Sequence, residues 1–190
     1  SGELLMRSIH SLAAAFIGIL GWVAVASPVA AQEEKTYEYI GVAACGKCHK
    51  TEKNGNQLPI WEQSQHAKAY ETLTTARADS IALAAGLTTK AAESETCLGC
   101  HTAGGASATE FMKEGVGCEA CHNAGSGYKP LSVMKNKAKS IALGLREFAD
   151  STAREALCLT CHNDKSPTAK PFDFAERWDK MKHLVPVDPP

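Results

Sequence analysis

"CLGCHTAGGASATEFMKEGVGCEACHNAGSGYKP", residues 97–130, sets two cysteine pairs in close succession. Each pair has two residues between its members, and each is followed at once by histidine. The same pattern stands at "CGKCH" (45–49) and "CLTCH" (158–162), so all eight cysteines of the 190-residue chain fall in four copies of one motif. On a helical turn, residues three and four apart share a face. Both sulfurs of a pair can then reach the vinyl groups of one porphyrin, while the adjoining histidine turns under the ring toward iron. Cys45, Cys48, Cys97, Cys100, Cys118, Cys121, Cys158 and Cys161 are therefore read as thioether donors to four haem c groups. His49, His101, His122 and His162 are read as the proximal iron ligands.

Three other uses of cysteine explain the pattern less well. Structural zinc takes paired CxxC units but does not ask for a histidine at the next position four times. Iron–sulfur clusters bind thiolates and belong to reducing surroundings. Disulfides impose no fixed two-residue gap.

The start of the chain speaks to compartment. Met6-Arg7 opens a positive region, "SLAAAFIGILGWVAVA" (11–26) is apolar, and "SPVAAQ" (27–32) offers small residues for cleavage before Gln32. An apolar run of about 16 residues is short of the roughly 20 that span a bilayer. Residues 1–31 are expected to be an upstream extension and secretory signal peptide. Residues 32–190 are expected to form a single exported, periplasmic or extracytoplasmic domain. The formal charge of −1 gives no reason to expect nucleic acid as a partner, and membrane association is not required.

Four haems in such a chain leave about 40 residues for each, so the porphyrins should supply much of the core. The expected fold is mainly α with long loops, a small multihaem cytochrome c fold. Helical periodicity is strongest over 61–86, over 134–162 with a break near Gly144, and over 172–184 after Pro171. No stretch shows sustained strand alternation.

Histidine supply limits the iron chemistry. Of seven histidines, His10 lies in the leader and four are proximal, which leaves His66 and His183 for four distal faces. At most two haems can be bis-histidine, and copies of the same chain cannot change that ratio. Methionine is the other common sixth ligand and raises the reduction potential. Met112, Met134 and Met181 are available, although core packing explains each equally well. Met134, twelve residues beyond His122, can fold back over that haem; Tyr128 and Lys129 are remoter choices.

The order "CGKCHK…W…SQHAKAYETL", "CLGCH…GVGCEACH" and a last CxxCH followed by a histidine-bearing C-terminal helix resembles the cytochrome c-554 family of tetrahaem electron carriers, over roughly residues 38–184. The resemblance implies that His66 is distal ligand to the haem of His162, and His183 to the haem of His49. It implies a five-coordinate haem at His101 whose open iron binds nitric oxide, and a hydroxylamine-oxidoreductase-like electron donor. In that family the third haem takes a histidine from the segment after its motif, whereas "NAGSGYKPLSVMK" here contains none.

The leading expectation is an exported carrier relaying electrons between redox partner proteins of a respiratory chain. Ferric iron, the porphyrin dianion and two propionates sum to about −1 per haem, so the oxidised holoprotein would carry about −5 and be steered by basic patches on a partner. One alternative is a reductase of nitric oxide or a related nitrogen oxide at the iron of His101. Lys113, Glu114 and Glu119 would be the nearby charges there, unless they are simply a solvated face. Another is a haem-wire subunit of a filament or membrane complex.

Overall fold

The computed structural model describes residues 35–183, so the expected leader lies outside the described residues. The chain divides into Ser1–Glu34 and Lys35–Pro190, and the account below concerns the second unit. Every regular element among the described residues is helical. In chain order they are α1 Val42–Gly46, α2 Gln57–Glu62, α3 Ala69–Leu73, α4 Ala76–Ala84, α5 Glu95–His101, α6 Cys118–His122, α7 Leu131–Met134, α8 Lys137–Ala142, α9 Ser151–Cys158 and α10 Phe174–Met181. Short 3₁₀ turns at Glu52–Asn54, His66–Lys68, Ala91–Glu93 and Gly105–Glu114 lie between them. The longest α-helix among the described residues, α4, has nine residues. Helices this short are marginal by themselves, so their contacts must hold them.

The single helix expected over 61–86 is instead divided among α2, a 3₁₀ turn, α3 and α4. Two causes are visible. Carbonyls of the segment also take donors from outside it: His66 O accepts the Val116 N–H at 3.0 Å besides that of Ala69, and Ala69 O accepts from the His101 ring besides the Thr72 hydroxyl. The threonines then close turns on themselves, with Thr74 donating to Glu71 O and Thr75 to Thr72 O. Thr75 caps α4 by accepting from Ala78 N. The break expected near Gly144 is present, with φ +105 and the Tyr37 ring where a Cβ would stand. It is wider than periodicity suggested, because residues 143–150 leave helix to wrap α6. There Arg146 donates its backbone N–H to His122 O and its guanidinium to Ala120 O. The final helix begins at Phe174, capped by Asp173, and ends at Met181. His183 therefore lies just past it, on extended backbone at Lys182, rather than on the helix as expected.

The core made by protein alone is thin. Nine apolar side chains are buried among the described residues, and four of them are alanine. One cluster joins Leu73, Ala82, Ala91 and Leu98, with Tyr70, Cys97 and Met112 packed against it. No helix among the described residues is long and apolar enough to cross a membrane.

Polar groups do much of the remaining work. Glu119, inside the third cysteine motif, is 4% exposed. Its carboxylate accepts the backbone N–H groups of Ile40, Gly41 and Gly125 at 2.7–3.1 Å, clamping the entry to α1 and the loop after α6 onto one residue. Glu114 accepts from Val42 N at 2.8 Å beside it. Neither is the solvated charge that the sequence suggested. Glu119→Gln keeps the volume but turns an amide donor toward backbone donors. It is expected to cost about 3 kcal/mol, read as a lower urea midpoint at unchanged slope.

Candidate functional site

All four CxxCH motifs adopt the same local geometry. Two lie wholly within helices α5 and α6. The other two continue the last turns of α1 and α9, where the histidine N–H donates to the carbonyl of the first cysteine: His49 to Cys45 at 3.1 Å, His162 to Cys158 at 2.9 Å. Each histidine thus stands one turn beyond the first cysteine of its pair. No disulfide joins any of the eight cysteines, and no three His, Cys, Asp or Glu side chains converge as a metal site among the described residues. Tetrahedral zinc would need such a convergence.

Cysteines of different motifs meet. Cys45 lies near Cys118, Cys100 near Cys161, and Cys121 near Cys158. The motifs therefore form a row in the order first, third, fourth, second, which is not their order along the chain. A cavity of about 300 Å³ opens between the last three, lined by Cys100, Cys161, Asn123, Arg146, Tyr39 and Thr102 among others.

Burial lowers four of the histidines, which favours the neutral form that an iron ligand needs. Burial, then His183 and His49, push His122 down to about 4. Burial lowers His66, with His162 adding to it, and lowers His162, with Arg177 adding. His183 is lowered by burial and by His49. His101 is held differently: its Nδ1 stands 2.8 Å from Ala69 O, with Thr72 Oγ1 at 3.3 Å. A carbonyl can only accept, so Nδ1 carries the proton and Nε2 presents its lone pair.

The two spare histidines each face a proximal one. The ring centroids of His66 and His162 are 6.1 Å apart, tilted 52°. Those of His122 and His183 are 5.8 Å apart, tilted 39°. Packing looks different here: Phe172 stacks on His162 at 4.6 Å and 19°. An imidazole–metal–imidazole axis holds its centroids about 6 Å apart, from two bonds of about 2 Å and about 1 Å from each nitrogen to its ring centre. The first pairing is the one the resemblance implied. The second is not, since the resemblance gave His183 to His49.

The other expected residues sit as follows. Met134 ends α7, half-buried. The buried Tyr128 donates its hydroxyl to Asn123 O and His122 O, which commits it to backbone, and Lys129 is exposed. Met112 packs beside Cys97. Sequence reasoning missed Ala69, whose carbonyl orients His101, and Gly115, which seats the HAKA stretch. Gly115 has φ +74, and a Cβ there would lie 2.5 Å from His66 O. Trp61 closes the same joint by donating to Val116 O at 2.8 Å.

These donors fit covalent haem. The motif turns carry paired sulfurs and a neutral imidazole, and the protein core is too thin to fill the space between them. Gly115→Ala is expected to strain the joint by about 2 kcal/mol or more and to displace His66. Denaturation midpoints and the high-spin fraction in ferric spectra, which should rise together, check this.

The family model for cytochrome c554 and c-prime matches residues 44–123. That span takes in the first three motifs and His66, and stops before Cys158 and His183. Neither a curated protein nor a solved structure matches the chain.

Proposed function

We propose that the chain, matched over residues 44–123 by the family model for cytochrome c554 and c-prime, is an exported tetrahaem c-type cytochrome relaying electrons between redox proteins of a respiratory chain. The observation that carries this reading is the row of motifs joined at Cys45–Cys118, Cys121–Cys158 and Cys100–Cys161. Haem iron bound there supplies one-electron chemistry by cycling between its ferric and ferrous states. The chain's residues hold the four sites close together and fill the gaps between them with short helices.

Electrons enter and leave a carrier by encounter with partners, and surface charge steers that encounter. The charge is uneven here. No acidic residue occurs from Ala120 to Arg146, where Lys129, Lys135, Lys137 and Lys139 are exposed, although Lys137 pairs with Glu147 at 2.7 Å. This stretch follows the third motif directly and suits an acidic patch on a partner. A hydroxylamine-oxidoreductase-like donor is the partner class the resemblance suggests.

A second reading, reduction of nitric oxide at the haem of His101, is favoured by one observation. His101 is oriented by Ala69 O, while both spare histidines face other motifs.

Intact mass and the alkaline pyridine haem spectrum of the exported holoprotein are expected to return four haems per chain. Fewer would overturn the tetrahaem carrier. Reversing Lys135 and Lys139 to Glu should slow electron exchange with an acidic partner about tenfold at low ionic strength. The gap should close as salt is raised, because exposed charges are screened.

A further inference from the structure

The third motif lacks a histidine in the segment that follows it, yet its proximal residue does not stand alone. His183 arrives from 61 residues further along the chain and places its ring 5.8 Å from that of His122. The approach is built. Asp173 caps α10, Phe174 stacks on Trp178 at 6.0 Å, and the Arg154 guanidinium of α9 lies 5.2 Å over the Trp178 ring. The tail is thereby tied to the helix that carries Cys158. At Lys182 the backbone turns extended, with ψ 137, and releases His183 from the helix axis.

The spacing matches that of His66 and His162, and both centroid distances are about what two imidazoles on one metal ion require. A twist between the ring planes about that axis is no obstacle. The six histidines of residues 35–183 then sort completely. Four follow cysteine pairs, His66 faces His162, and His183 faces His122. His49 also lies near His183, but the ring pairing is with His122, which leaves no imidazole for His49 or His101.

Building on the tetrahaem reading, we propose that His183 is the distal ligand of the haem carried by Cys118 and Cys121, and that the haem carried by Cys45 and Cys48 keeps an axial face for a small exogenous ligand of the carbon monoxide or nitric oxide class. Exchangeable iron would then stand at both ends of the row, at His49 and at His101. The two inner haems are closed by imidazole on both sides. This differs from the family pattern in a specific way: the first site gives up the tail histidine to the third.

The test is carbon monoxide binding to the dithionite-reduced holoprotein, counted against total haem by optical titration. Two molecules per chain are expected in the wild type and three in His183→Ala. A wild-type count of one or none overturns the proposal, as does a count unchanged by His183→Ala. Should that variant fail to mature, His183→Met keeps a sixth ligand. It is expected to hold the count at two while raising the potential of one haem. In the reduced wild type, nuclear Overhauser contacts from the His183 ring should reach the thioether protons at Cys118 and Cys121; contacts to those at Cys45 and Cys48 would overturn the assignment. Haem count separates the two failures. Fewer than four haems sinks the parent reading, whereas four haems with the wrong ligand count sinks only this one.

Discussion

Two backbone carbonyls in the short segment His66–Leu73 accept donors from distant parts of the chain, and much of the architecture follows from that. His66 O accepts from Val116, which seats the segment against the loop before the third motif. Ala69 O accepts from the His101 ring and so sets the tautomer at the second. The side chain of His66 meanwhile faces His162 of the fourth. One stretch of eight residues thus touches two of the four motifs and the loop that leads into a third. A carbonyl oxygen has two lone pairs, so it can take a distant donor besides a local one.

The motifs themselves were fully legible in the sequence, because their geometry is local. A cysteine, a second cysteine three residues on and a histidine at the fourth need only a helical turn, and each of the four has one. Helix boundaries were less legible. The division of 61–86 depends on donors from Val116 and His101, which no local pattern reveals. His183 facing His122 was out of reach for the same reason: the pairing is set by how α10 packs on α9, through Arg154 and Trp178. Glu119 was misjudged because a charge beside a cysteine pair ordinarily faces water. Its burial is made tolerable by three backbone N–H groups arriving from two distant segments.

A thin aliphatic core and a dense set of polar joints describe a protein whose cohesion comes from specific ties. The match to the cytochrome c554 and c-prime family model over residues 44–123 gives this a rationale. Where prosthetic groups occupy the interior, side chains have less space to fill, and alanine is an adequate core residue. What the chain must then contribute is placement, and the clamps at Glu119, Glu114 and Gly115 each fix a motif to a neighbour that is remote in sequence.

The Glu119 clamp also bears on the order of events during folding. Glu119 sits between Cys118 and Cys121, and the backbone N–H groups of Ile40 and Gly41 close onto its carboxylate. That segment is among the first of the described residues to be synthesised, yet the group it docks on lies 78 residues further along the chain. The early part of the chain therefore waits for the middle, and its docking closes a long loop.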